Sequence, residues 1–445
     1  MIRGIGMREV DVLIIGAGPA GLSLAHHLSA DSLILEKENE VGGLCRSIER
    51  EGAVFDIGGH SFHTPHPEVR DFVEGIMGDN WESQIRDARV FSHGALLPYP
   101  FQKHFDQIPD AEVVAECRAG LEEADSADDA ENFQEYIIRR FGPGVAKHFM
   151  LPYNRKIWAR DIRRVSCEWT SQRVAAPKGR EEKFDTRGGE RKPLQAGTMV
   201  SYPKRGGFQA IFVAMAGHVP ALELGQEVVE IDPARKTART ASGMEIAWNR
   251  LVSTMPIPDL LEIVAGVPVE VKEVASRLEF MSLSLLLMTV DDPLPDAPQR
   301  IYSADADVPP HKIAFNHTSS TELRARPVHG IMCEISYSDE KPMLPRAELE
   351  DRTIRFLVDG AGVIPSADRV VWTDLVDVKY AYPVYTHERP AILEAVRGYL
   401  APLGITTIGR FGGWDYVNSD KCINMGIEHA RVLDRQTPVP HQLGR

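Results

Sequence analysis

The chain is short of several things, and each shortage removes a class of protein. Only five cysteines occur in 445 residues: Cys45, Cys117, Cys167, Cys333 and Cys422. They are scattered and odd in number, and none stands in a CxxC or Cys/His pair with zinc spacing, so a disulfide framework and a zinc ribbon are both excluded and reduced, mostly buried thiols are expected. No metal site is expected. Net positive charge is absent too. Fifty basic against 64 acidic side chains leave −14, a poor balance for gripping a phosphate backbone, and no nucleic-acid partner is expected. The longest strongly apolar run, Met281–Val290, is about half of the ~20 residues a membrane span needs, so it reads as a buried strand. The N-terminus carries Arg3 and Arg8 but no apolar stretch with a cleavage site, and a cytoplasmic chain without a membrane partner is the expectation. No internal repeat is visible.

What is present is ordinary globular composition, 43% apolar and 26% charged, at a length that predicts two or three units. Segment 110–150 reads as helical, and the acid-dense stretch Glu122–Glu135 as a solvated face or turn. Pro177–Gly197 is polar, charged and broken by Gly and Pro, which predicts a long surface loop. Leu222–Met255 and 279–335 are β-like, and Ile423–Asp434 reads as a closing helix.

The strongest local signal lies at the start. Val10–Ile15 is a β-type run followed by Gly16-x-Gly18-x-x-Gly21, then by a helical apolar face of Leu22, Leu24, Ala25 and Leu28. A second strand ends in Glu36, twenty residues beyond Gly16. That context turns a weak motif into a dinucleotide fingerprint. Gly16 serves the tight turn, Gly18 lets backbone approach a pyrophosphate, and Gly21 lets helix and strand pack closely. The helix N-terminus supplies N–H groups and positive dipole to the phosphates. Glu36 can accept from ribose hydroxyls. Gly42-Gly43 follows the acid, as a glycine pair does in FAD enzymes of the glutathione-reductase and amine-oxidase type, so FAD rather than NAD is expected.

Further blocks share one order along the chain. They are Gly58-Gly59-His60-Ser61-Phe62-His63, Leu97-Pro98-Tyr99-Pro100-Phe101-Gln102 and Pro152-Tyr153-Asn154-Arg155-Lys156-Ile157-Trp158-Ala159, then Gln172-Arg173-Val174-Ala175-Ala176-Pro177 and Tyr202-Pro203-Lys204-Arg205-Gly206-Gly207. Val252-Ser253-Thr254-Met255 and Gly409-Arg410-Phe411-Gly412-Gly413-Trp414-Asp415-Tyr416 complete the series. Over about 8–435 the chain resembles the UDP-galactopyranose mutases, the eukaryotic-type enzymes more than the short bacterial ones.

The resemblance implies an isomerase that interconverts pyranose and furanose forms of a nucleotide sugar. In that family reduced FAD acts as a nucleophile through an N5–sugar adduct, with no net redox. NAD(P)H is admitted as an external reductant and homo-oligomerisation is left open. The lack of a Ser/His/Asp set, a metal cluster or an evident carboxylate pair agrees with covalent chemistry at the cofactor. The resemblance puts Arg173, Tyr382 and Tyr416 on the diphosphate, where charge grows as it leaves. It puts Tyr99, Phe101 and Gln102 on the nucleoside, Asn154 and Trp158 along the base and sugar end, and His60 beside the flavin. Gly59 lets backbone approach the ring, Arg410 reaches the FAD, and Val228 offers its backbone to the adenine. His63 reads as structural.

Two departures stand out. The family's second diphosphate arginine aligns with Lys312, or with His311, so a two-arginine clamp is not evident. The polar stretch after Tyr416 is shortened to Val417-Asn418-Ser419-Asp420-Lys421. These put the identity of the sugar and base in question more than the chemistry. The rival reading is an FAD-dependent oxidase or dehydrogenase of the amine-oxidase superfamily, with Lys312 as a lysine near the flavin. The expected fold is α/β (α+β), with a Rossmann-type FAD-binding domain over 1–90, 200–265 and 400–445. A helical insertion is expected over 91–199, with a flap at 177–197, and a β-sheet substrate domain over 266–399.

Overall fold

The computed structural model describes residues 7–125, 127, 129–170, 174–175 and 197–436. Arg173 and all of the expected 177–197 flap except Gly197 lie outside them. The fold is mixed α/β, built on two seven-stranded sheets. In the first sheet, Arg8–Ile15 lies between Ser32–Leu35 and Glu245–Ser253, parallel to both. Leu222–Glu223 and Ile405–Thr407 extend the parallel part. An antiparallel hairpin, Val228–Asp232 with Thr237–Thr240, is added on the Glu245–Ser253 side. The continuous burial of Val12–Ile15 and of SLIL is what a parallel sheet covered on both faces requires.

Helix Pro19–His27 covers one face and packs on the closing helix Ser419–Gln436. That closing helix starts four residues before the apolar pattern predicts. The two helices touch backbone to backbone: a Cβ on Gly426 would lie 2.6 Å from the Leu24 nitrogen. Ser23 Oγ adds a 2.7 Å hydrogen bond to the Ile423 carbonyl.

The second sheet runs in the order Val370–Pro383, Phe280–Val290, His329–Tyr337, Lys312–Phe315, Arg300–Ser303, Ala88–Ser92, Ala95–Pro98. The apolar run is its strand Phe280–Val290, buried almost throughout and paired on both sides. All pairings are antiparallel except Arg300–Ser303 with Ala88–Ser92.

Between the sheets in sequence comes a helical stretch, with Ala111–Glu123, Phe133–Val145 and Leu151–Trp158 its main helices. Asp110 caps the first by accepting from the Glu112 and Val113 nitrogens, and Asn132 caps the second by accepting from Glu135. The acid-dense stretch ends one helix and turns into the next, with Arg139 paired to Asp125, Asp129 and Glu135. All five cysteines are free thiols and four are buried. Among the described residues no helix is long and apolar enough to cross a membrane, and no His/Cys/Asp/Glu group could hold a metal ion.

Candidate active site

One cavity of about 990 Å³ runs from the glycine turn of the first sheet to the inner face of the second. At the first end, Gly16 adopts φ +101°, and a Cβ there would lie 2.1 Å from Thr254 Oγ1. A Cβ on Gly21 would lie 2.0 Å from the Gly16 carbonyl oxygen, so helix and turn touch through bare backbone. Gly18 is different. Its φ is −79°, and a Cβ would meet nothing within 4 Å, because it faces the cavity at the helix N-terminus.

Glu36 is buried and pinned by two backbone donors, Ala17 N–H at 2.7 Å and Glu38 N–H at 3.0 Å. Gly42 and Gly43 take positive φ, and a Cβ on Gly43 would lie 3.4 Å from Gly18 Cα, which packs the second glycine pair onto the first turn. Val228 lines the same end, and Gln226 N–H donates to the Glu36 carbonyl at 2.8 Å. An open helix N-terminus, a pinned carboxylate and a backbone cradle fit the pyrophosphate and the adenosine ribose of an adenine dinucleotide.

In the middle stands the Gly58-Gly59-His60 turn. Asp56, just before it, accepts from Ser47 Oγ (2.7 Å), Tyr202 OH (2.8 Å) and Phe208 N–H (3.0 Å). The His60 ring stacks on Phe208 at 4.8 Å, its carbonyl accepts from Arg300, and its Nδ1 finds no protein partner. Burial pushes its pKa down to about 3, with Lys312 adding to the shift. His60 is therefore a neutral imidazole that lines the cavity, with one buried ring nitrogen unmatched by protein.

Behind the turn lies a fully buried carboxylate, Glu334. Lys312 is its direct cross-strand partner, and Lys312 Nζ sits 2.6 Å from Glu334 Oε1. The same oxygen accepts from Gly59 N–H at 2.8 Å. His311 Nε2 and Tyr382 OH lie 3.4 Å from the other oxygen. Burial alone would raise the Glu334 pKa, but Lys312 and His311 hold it well below the usual carboxylate range. Burial works against the Lys312 cation, and Glu334 more than compensates, holding its pKa above the ordinary value. His311, by burial, falls to about 4.

The far end is aromatic and polar. Tyr99, Gln102, Asn154, Trp158, Tyr382 and Tyr416 line it. Gln102 donates to the Ala175 carbonyl and Asn154 to the Met150 carbonyl, both at 2.7 Å. Trp158 packs edge-on against Tyr416 at 5.8 Å. Tyr382 and Tyr416 meet at 5.0 Å, with the Arg410 guanidinium 5.1 and 5.7 Å from their rings. Arg410 is held by the Val417 and Ala381 carbonyls. Phe101 is the exception. It points into the helical core, stacked on Phe149 at 4.8 Å, and does not line the cavity. The ring open to the cavity in that block is Tyr99. Gly21 and Gly42 also stay off the cavity wall and act through packing.

Sequence reasoning passed over four residues here: Glu334, Arg86, Arg300 and Tyr302. Arg86 is buried, lies 4.9 Å from the Tyr99 ring centroid, and donates to Tyr302 OH at 2.9 Å, while its Nη1 has no protein partner. Glu334 did leave a trace, as the one acid inside the buried strand HGIMCEISY. Arg86, between Ile85 and Asp87, left none.

Residues 19–391 match the profile of the family described as Flavin containing amine oxidoreductase. The chain belongs to that family. A flavin cofactor follows, and the glycine cradle, Glu36 and the His60 wall are residues that fit it. Among curated relatives, the chloroplastic protoporphyrinogen oxidase of Nicotiana tabacum is 26% identical over 171 residues, 36% of this chain and 31% of that protein. The dTDP-fucopyranose mutase of Escherichia coli is 23% identical over 164 residues, 35% of this chain and 43% of that protein. The aligned stretches thus span less than half the length of either relative. Among solved structures, a reduced UDP-galactopyranose mutase superposes with a TM-score of 0.86 over 97% of this chain and 95% of that one, at 24% identity. The likeness read from the sequence blocks therefore holds for the fold along nearly the whole chain.

Proposed function

We propose that this flavoprotein is a nucleotide-sugar mutase that interconverts pyranose and furanose forms of a nucleoside-diphosphate hexose. The observation that carries the reading is the meeting of Tyr382 and Tyr416. They come from segments 34 residues apart (416 − 382), yet stand 5.0 Å apart on the cavity wall with Arg410 beside both rings. The Tyr416 phenol, and the Tyr382 phenol once it turns from its long 3.4 Å contact with Glu334, suit a leaving diphosphate, with Arg410 beside them on the flavin side. Resemblance adds Arg173 to that set. The mutase names of a curated relative and of the superposing structure support the same class.

Reduced FAD, when bound, supplies the nucleophile for the anomeric carbon. The chain's own residues bind and orient. Tyr99, beside Arg86 and Tyr302, offers a face for a nucleobase. Gln102 and Asn154 each keep a carbonyl oxygen for ligand while their amide nitrogens are held by backbone. Trp158, edge-on to Tyr416, lines the base and sugar end of the cleft. The reading requires an external reductant for the flavin, with NAD(P)H as one candidate.

A second reading, an FAD-dependent oxidase or dehydrogenase, is favoured by one feature: Lys312 lies against the Gly59 turn, its Cε 3.2 Å from where a Gly59 Cβ would stand. The experiment is anaerobic reduction of the purified protein, incubation with a panel of nucleotide sugars, and treatment with cyanoborohydride. Ring isomers are then resolved by chromatography and the released flavin is weighed. A new isomer and a flavin heavier by one N5-linked deoxyhexityl group, the sugar less its anomeric oxygen, are expected. Neither product with any donor, together with oxygen consumption on amine or other reduced substrates, would replace the mutase by the oxidase.

A further inference from the structure

Glu334 gathers groups from three separate segments. It holds the Gly59 amide, the Lys312 ammonium and, at longer range, His311 and the Tyr382 hydroxyl. It is fully buried; one oxygen takes both close donors, Lys312 and the Gly59 amide, and the other has the Tyr382 hydroxyl at 3.4 Å. Lys312 and Glu334 face each other across the antiparallel pair Lys312–Phe315 and His329–Tyr337. The ammonium stem runs along the Gly59 backbone, close enough that a Cβ at Gly59 would lie 3.2 Å from Lys312 Cε and 2.9 Å from Arg300 Nε.

The charge of Lys312 is thus matched inside the protein. The ammonium lines the cavity and keeps further N–H donors, but its charge is offset by Glu334 at 2.6 Å, and drawing it off Glu334 toward an incoming diphosphate would strand a fully buried carboxylate, which costs far more than breaking a solvated pair. A close ion pair also presents a dipole to the cavity, whose field fades faster than that of a single charge.

We propose that Lys312 and Glu334 form a neutral positioning pair that fixes the Gly58–His60 turn and Tyr382 relative to each other, and that Lys312 is not a diphosphate ligand. This rests on the mutase reading for the diphosphate and on the family's flavin for the turn. The pair joins the flavin side of the cavity to the substrate side through one carboxylate. It also accounts for a lysine at the place where an arginine is expected: a point charge suffices for one carboxylate oxygen, whereas the planar fork of arginine serves two acceptors at once.

The test uses the flavin-loaded protein and four variants: Lys312→Met, Glu334→Gln, the double variant, and Lys312→Arg. Glutamine keeps an oxygen for the Gly59 amide, so the double variant loses charge on both partners while that bond survives. UDP and dTDP are the probes, titrated without turnover. Lys312→Met is expected to weaken nucleotide binding, since it leaves an unpaired negative charge. Glu334→Gln is expected to leave it equal or tighter. The double variant and Lys312→Arg are expected within threefold of the parent. If Lys312 is a phosphate ligand, Lys312→Met and the double variant weaken binding equally, by tenfold or more, and Lys312→Arg tightens it as much; that pattern overturns the proposal.

The visible flavin spectrum, without nucleotide, is the second readout. It is expected to shift in both single variants and to return in the double variant. An unchanged spectrum in all of them also overturns the positioning role. Should the parent bind neither UDP nor dTDP, the mutase reading fails, and the spectrum alone then judges the pair. Should a single variant fail to fold, the double variant and Lys312→Arg, which leave no unpaired charge, still decide it.

Discussion

Gly18 and Gly21 stand three residues apart in one motif, and the structure assigns them opposite costs. In Gly21→Ala the new methyl would lie 2.0 Å from the Gly16 carbonyl oxygen and 3.4 Å from Ile14 Cγ2. The Pro19–His27 helix would have to back away by more than 1 Å, by roughly the gap to an ordinary carbon–oxygen contact. It has no room, because its other side meets the Ser419–Gln436 helix backbone to backbone. Overpacking of this kind costs about 3 kcal/mol. With ~2.1 cal/mol/K of unfolding entropy per residue and a cooperative unit of about 200 residues, the apoprotein should melt about 7 °C lower.

Gly18→Ala meets no neighbour within 4 Å and no backbone strain at φ −79°. The ~0.4–1 kcal/mol gained by restricting the unfolded chain is offset by a poorer N-cap, so apoprotein stability should stay within about 1 kcal/mol. Its methyl, however, enters the cavity where the pyrophosphate must pass close to backbone. A loss of at least ~1.4 kcal/mol in flavin binding, about tenfold, is expected. The assays are thermal melts of both apoproteins and fluorescence titration with FAD. An apo Gly18→Ala that melts as low as Gly21→Ala, or that binds FAD as tightly as the parent, would refute the division of labour.

Two further outcomes follow from the same physics. His317, buried outside the catalytic cavity, has its pKa pushed down to about 3 by burial, with His329 adding to the shift. The unfolded chain therefore binds a proton that the folded one does not, so this contribution is complete above about pH 6.5 and is lost as pH falls toward 3. His317→Gln should flatten the fall of melting temperature between pH 6.5 and 4; an unchanged slope in circular-dichroism melts contradicts this. Arg86→Lys keeps the charge but not the fork that faces Tyr99 and reaches Tyr302. Nucleotide binding should weaken about tenfold, roughly 1.4 kcal/mol, with little change in melting temperature, and calorimetric titration with UDP checks it.

The amino-acid sequence alone determined what depends on neighbours close along the chain. The glycine spacing, the strand before it and the helix after it act over twenty residues, and Gly16, Gly18, Gly21 and Glu36 stand where that spacing predicts. Most of the Phe280–Val290 strand was legible as the strongly apolar stretch Met281–Val290, and most of the closing helix as Ile423–Asp434. Short blocks such as Gly58–His63 and Gly409–Tyr416 marked parts of the cavity wall because their lining residues are near neighbours along the chain.

Tertiary structure decided what depends on strands and helices meeting from afar. Glu334 reads as one stray acid in an apolar strand, and only cross-strand register puts it on Lys312 and under Gly59. Arg86 carries no local signature and acquires its place through Tyr302, 216 residues away. Phe101 and Tyr99 look interchangeable as aromatics of one block, yet one packs on Phe149 and the other opens to the cavity. Sequence spacing encodes φ, ψ and periodicity. Which charge is already neutralised, and which ring is already spent in a core, are settled only by the partners that folding brings within a few ångströms.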